Sequence, residues 1–84
     1  MNPTPVKREK LYQSIANVYA SGSELTAREC AERLYRQSIV PYPLRGMVQP
    51  RLTELCKMGK MEVCGTKLDK TTNKIVSIYK RKEE

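Results

Sequence analysis

Apolar residues recur along this chain with a helical period in three stretches and with a period of two in two more, and the change of period falls at Gly59. Leu11, Ile15 and Val18 form the stripe of a first helix predicted over Val6–Ala20, with Tyr12, Ala16 and Tyr19 on the adjoining flank. Ser21-Gly22-Ser23 ends it, and Glu24-Leu25 is a short extended bridge. Thr26-Ala27-Arg28-Glu29 is then a capping box: the Thr26 hydroxyl accepts from the Glu29 N–H while the Glu29 carboxylate reaches back. Leu25 before it and Cys30 after it make the accompanying hydrophobic staple, and Ala27, Cys30, Ala31 and Leu34 carry the buried face of the second helix. Gln37–Leu44 cannot continue that helix, because Pro41 and Pro43 remove donors and push Val40 and Tyr42 into extended backbone. Its apolar residues, Ile39, Val40, Tyr42 and Leu44, predict a loop that folds some of them over the core.

The stretch Arg45–Gly65 organises the rest. Val48, Leu52 and Leu55, with Cys56 beside them, mark the inward face of a third helix predicted over about 46–58, and Gln49, Thr53 and Lys57 fall together on its opposite side. Pro50 must lie in the first turn, where a missing N–H is harmless, and Gly59 ends the helix as a left-handed terminator. Met61–Cys64 and Lys74–Lys80 read as two strands joined by Gly65–Asn73, with Asn73 able to adopt positive φ. Val76 and Ile78 share one strand face and Tyr79 the other, so Val63, Val76 and Ile78 are expected to complete the core of all three helices.

Composition narrows the function. Eighty-four residues make one small domain, expected as a flexible lead over 1–5, a folded unit over 6–81 and a charged tail over 82–84. The net charge is +7, and residues 45–82 alone carry ten Lys and Arg against three acids, so the whole basic excess lies in the half that holds the third helix. That is the footprint expected of a phosphate-binding surface, although lysine-rich hairpins are also simply soluble. There is no histidine and the three cysteines make no C-x-x-C pair, which excludes a zinc finger and a histidine-based catalytic site. No metal or other cofactor is expected. No apolar run approaches membrane-spanning length and no signal-peptide core is present, so the expectation is a soluble, cytoplasmic protein.

The order helix, bridge, helix, helix, strand, hairpin tip, strand resembles the winged helix-turn-helix family over roughly residues 6–81. The resemblance rests on TARECAERL, which looks like the first helix of the helix-turn-helix, and on VQPRLTEL followed by G-x-M-E-V-x-G, which looks like a recognition helix running into a wing. It is similar to small phage and mobile-element proteins with a V-x-P-R-[IL]-x-E-L recognition helix, and departs from the usual pattern in the longer connection QSIVPYPLR. The fold implied is α+β, a three-helix winged helix-turn-helix with a C-terminal β-hairpin wing. The function implied is non-enzymatic binding of double-stranded DNA by a recognition helix (about 46–58) and a basic wing (65–74), in a small transcriptional regulator or a replication or excision accessory protein.

Residue chemistry points the same way. Gln49 can pair with adenine through two hydrogen bonds, Thr53 can meet a base edge or a thymine methyl, and Arg45 suits guanine or phosphate. Lys57, Lys67, Lys70 and Lys74 would neutralise phosphates without reading sequence. Each has a plainer reading: Gln49 and Thr53 as solvated helix residues, the hairpin lysines as protection of an edge strand, and Arg51 as a local partner of Glu54. No acidic pair, nucleophile with a base or phosphate-cradling glycine loop can be assembled, so neither an enzyme nor a small-molecule substrate is expected. The alternative is a winged-helix protein-interaction or homodimerisation module, using the apolar 39–44 loop with Tyr12, Tyr19 and Tyr35.

Overall fold

A computed structural model describes residues 8–82; the flexible lead expected at 1–5 and the Glu83-Glu84 end of the tail lie outside them. The described residues form three α-helices and one three-stranded antiparallel sheet: α1 (Arg8–Val18), β1 (Leu25–Thr26), α2 (Ala27–Arg36), α3 (Gln49–Lys57), β2 (Met61–Asp69) and β3 (Lys74–Arg81). The sheet order is β1-β3-β2, so the two-residue β1 pairs with the far edge of the C-terminal hairpin. Among the described residues no helix is long and apolar enough to cross a membrane.

The helices follow their periodicity. Leu11, Ile15 and Val18 of α1, Ala27, Cys30, Ala31 and Leu34 of α2, and Val48, Leu52 and Leu55 at α3 all enter one core. Thr26 caps α2 as its box predicts, with the Glu29 N–H donating to Thr26 Oγ1 at 3.2 Å and the Thr26 N–H donating to Glu29 Oε1 at 2.9 Å. Tyr19, expected on a flank of the first helix, is instead fully buried just past α1, and its hydroxyl donates to the Leu25 carbonyl at 3.0 Å. That bond satisfies a buried hydroxyl and ties the end of α1 to β1. In the loop after α2, Val40 is buried and Ile39 packs on the core, whereas Tyr42 and Leu44 stay exposed.

Three expectations need correction. The third helix does not begin near Gly46: Arg45–Met47 is a turn of 3-10 helix, Val48 breaks the run at φ −124°, and α3 starts at Gln49. Pro50 accounts for this, since its ring would collide with the carbonyl of Gly46 if the α-helix continued back through that residue. The joining segment is also shorter than Gly65–Asn73, because the ladder continues to the Asp69↔Lys74 pair and leaves only residues 70–73 as the turn, with Asn73 at φ 57°. Finally, the buried face of β3 is the opposite one, and in β2 Val63 shares the face of Met61 and Tyr79 but stays exposed. Met61 and Tyr79 enter the core, Val63 is 52% exposed, and Val76 and Ile78 are only half-buried.

The apolar character of both faces of β3 explains the inversion, while a bulge alters β2 further out. Register steps from Val63↔Tyr79 to Gly65↔Ile78, so Cys64 is an extra residue that shifts the alternation along β2. In β3 either choice of face buries aliphatic or aromatic carbon, and a period of two cannot rank them. Tyr79 wins: its ring fills the core at 7% exposure while its hydroxyl meets a polar partner on α3.

Candidate nucleic-acid interface

The 3-10 turn, the first turn of α3, the N-terminal end of α2 and the hairpin enclose a cleft of about 280 Å³. Arg28, Arg45, Gln49, Asp69, Ile75 and Tyr79 contribute to its walls. Local backbone chemistry places Arg45 there. Leu44 is extended, the Met47 N–H donates to its carbonyl at 2.9 Å, and the Val48 N–H donates to the Arg45 carbonyl at 3.1 Å. The fully buried Val48 anchors the end of that turn, and the Arg45 side chain is left exposed.

Gln49 is not the freely solvated reader that its helix position suggests. Its Nε2 donates to the Tyr79 hydroxyl at 2.8 Å, and the residue is half-buried. One donor is thus committed, while the carbonyl oxygen and the second N–H retain hydrogen-bonding capacity. Thr53, one turn further on, is exposed, and its hydroxyl donates to the Gln49 carbonyl at 3.1 Å. This back-bond uses the hydroxyl proton and leaves the methyl and the oxygen lone pairs as its remaining surface. Lys57 lies exposed at the other end of α3, about 12 Å along the axis from Gln49 at the rise of a helix, where a cation also favours the helix dipole. Arg51 pairs with Glu54 at 2.7 Å, the local role expected of it.

The hairpin is strapped to α2 by two ion pairs. Lys67 Nζ meets Glu29 Oε2 at 2.8 Å, and Arg28 Nε meets Asp69 Oδ2 at 3.1 Å. Asp69 also accepts from the Thr71 N–H through Oδ1 at 2.9 Å, which shapes the turn. That backbone bond and the Arg28 guanidinium together hold the Asp69 carboxyl below its ordinary range. Burial pushes the Glu29 carboxyl up, but the Lys67 ammonium and the Thr26 N–H outweigh it, so its pKa is lowered. Lys67, expected as a backbone contact, thus has its charge already paired with Glu29. Lys70 and Lys74 are exposed and make no ion pair among the described residues.

Arg45, Gln49 and Thr53 thus come together beside the cleft, Lys70 and Lys74 stand at the hairpin tip, and Lys57 stands apart. Arg28 belongs to the same surface, although a basic residue inside a capping box reads from the sequence only as part of the cap. Among the described residues no three metal-ligating side chains come together. Burial raises all three thiols, Cys30 to about 12, so none is held as a thiolate at neutral pH. Comparison with known proteins returns no match: no family model, no curated protein and no solved structure resembles this chain closely enough to place it.

Proposed function

We propose that the chain is a winged helix-turn-helix protein that binds double-stranded DNA without catalysing a reaction. In this reading α2 and α3 are the helix-turn-helix pair, α3 enters the major groove by its N-terminal end, and the β2–β3 hairpin is the wing. The observation that carries it is the joint exposure of Arg45 and Thr53 beside the half-buried Gln49, under a hairpin whose Lys70 and Lys74 have no carboxylate among the described residues. Tyr79 supports it further, because its hydrogen bond fixes the rotamer of Gln49 before any base arrives and lowers the entropy cost of binding. Resemblance extends the proposal to a small regulator or a replication or excision accessory protein of a phage or mobile element.

The test is a salt titration of binding to a selected site and to an arbitrary duplex. Lys70→Ala with Lys74→Ala weakens both alike and lowers the salt slope by up to about 2, at roughly 0.9 for each phosphate no longer neutralised. Gln49→Ala and Thr53→Ala each weaken binding to the selected site by about 1–3 kcal/mol for every good base pairing removed, with arbitrary binding nearly unchanged. Absence of duplex binding at low salt rejects the reading and favours a protein-interaction module. The exposed Tyr42 (58%) and Leu44 (51%) are the observation in favour of that second reading and the first surface to test.

A further inference from the structure

The hairpin displays two large aliphatic side chains where an exposed antiparallel sheet face would ordinarily be polar. Ile75 is 68% exposed and Leu68 is 49% exposed, and neither packs on the core. They are directly opposed in the ladder, so they form one cross-strand pair on one face. Strand alternation identifies that face. Ile75, Ser77 and Tyr79 fall on the same side of β3, and all three line the cleft with Arg45 and Gln49. Lys67 and Asp69, which are bound to α2, alternate onto the other side of β2, although Asp69 and Val76 of that side also reach the edge of the cleft. The aliphatic pair therefore shares the face of the helix residues proposed to read bases, with the exposed Lys70 in the turn beyond it and Lys74, the partner of Asp69, on the other face.

We infer that Leu68 and Ile75 form an apolar wedge that presses into the minor groove of the bound duplex and bends it. The wedge rests on the DNA-binding reading and deepens it. Side chains without hydrogen-bonding groups cannot read base edges in the groove, and they gain by losing water against sugars and the faces of partly unstacked bases. Lys70 at the turn and Lys74 on the other face of the tip are placed to neutralise phosphates on either side of the inserted pair. Pyrimidine–purine steps unstack most easily, so the wedge selects a flexible TA or CA step at a fixed distance from the bases under α3.

The experiment uses the full chain and a mixed-sequence duplex of roughly 25 base pairs with a central TA step and dyes at its two ends, read by energy transfer. The wild-type protein shortens the end-to-end distance as a bend of about 20–90° requires. Leu68→Thr with Ile75→Thr keeps strand-forming side chains, still binds several-fold more weakly, and leaves the duplex straight. Leu68→Met with Ile75→Val, which stays apolar, retains the bend. A mismatch at the TA step, which removes an unstacking cost that only the wedged complex bears, strengthens wild-type binding and widens the affinity gap to the threonine variant. A bound but straight duplex with the wild-type chain, or an equal bend with the threonine variant, overturns the wedge and leaves DNA binding standing. Sedimentation without DNA checks the other occupant: self-association abolished in the threonine variant, together with a straight duplex, overturns the wedge in favour of contact between two copies. Absence of duplex binding at low salt overturns both proposals.

Discussion

Helix α2 and the β2–β3 hairpin lie side by side, yet their side chains are allotted to core and solvent by different means. In α2 a capping box sets the first residue and four apolar residues point inward, so local chemistry and burial agree. In the hairpin the ladder is regular except at Cys64, but the residues that enter the core are those at its base, Met61 and Tyr79, and the aliphatics further out are exposed. A helix spreads its face over several turns and tolerates an error of one residue. A strand does not, since an error of one residue exchanges its two faces.

Truncating one aliphatic residue in each region puts this contrast under the greatest strain. Leu34 of α2 is fully buried, and Leu34→Ala should cost about 2–5 kcal/mol in urea denaturation. Val63→Ala in β2 should stay within about 0.5 kcal/mol of wild type, because Val63 is half-exposed. Equal losses for the two would mean that Val63 is buried rather than exposed.

A smaller effect isolates the capping box. Thr26→Ala removes the acceptor for the Glu29 N–H and should cost about 1 kcal/mol by thermal melting, since Thr26 is almost fully buried and water cannot readily replace the bond. A melt indistinguishable from wild type would show that Glu29 alone holds the end of α2.

The weakest coupling is expected where the two regions meet. Glu29 has a lowered pKa in the folded chain, so its contribution is present above its unfolded pKa and is lost as pH falls through the folded value. Stability should therefore decline on acidification from about pH 5, and Glu29→Gln should flatten part of that slope. Both Glu29 and Lys67 are more than a third exposed, so a double-mutant cycle on the pair should give roughly 0.2–1 kcal/mol, shrinking as salt is added. A coupling that ignores salt would contradict a solvent-screened strap between hairpin and helix.

The helix faces, the Thr26 cap, the left-handed Gly59 and Asn73 and the order of elements were all legible in the chain, because each depends on residues a few positions apart. Short-range chemistry also marked Arg45, Gln49 and Thr53 as polar residues collected near one helix end. Long-range packing was needed to show that Tyr79 rather than Val76 or Ile78 is buried, and that Gln49 and Lys67 already have partners. Those partners lie 30 and 38 residues away in the chain, and a side chain's choice between solvent and a distant partner is settled by which surfaces packing brings together. A local pattern of apolar and polar positions carries no information about that choice.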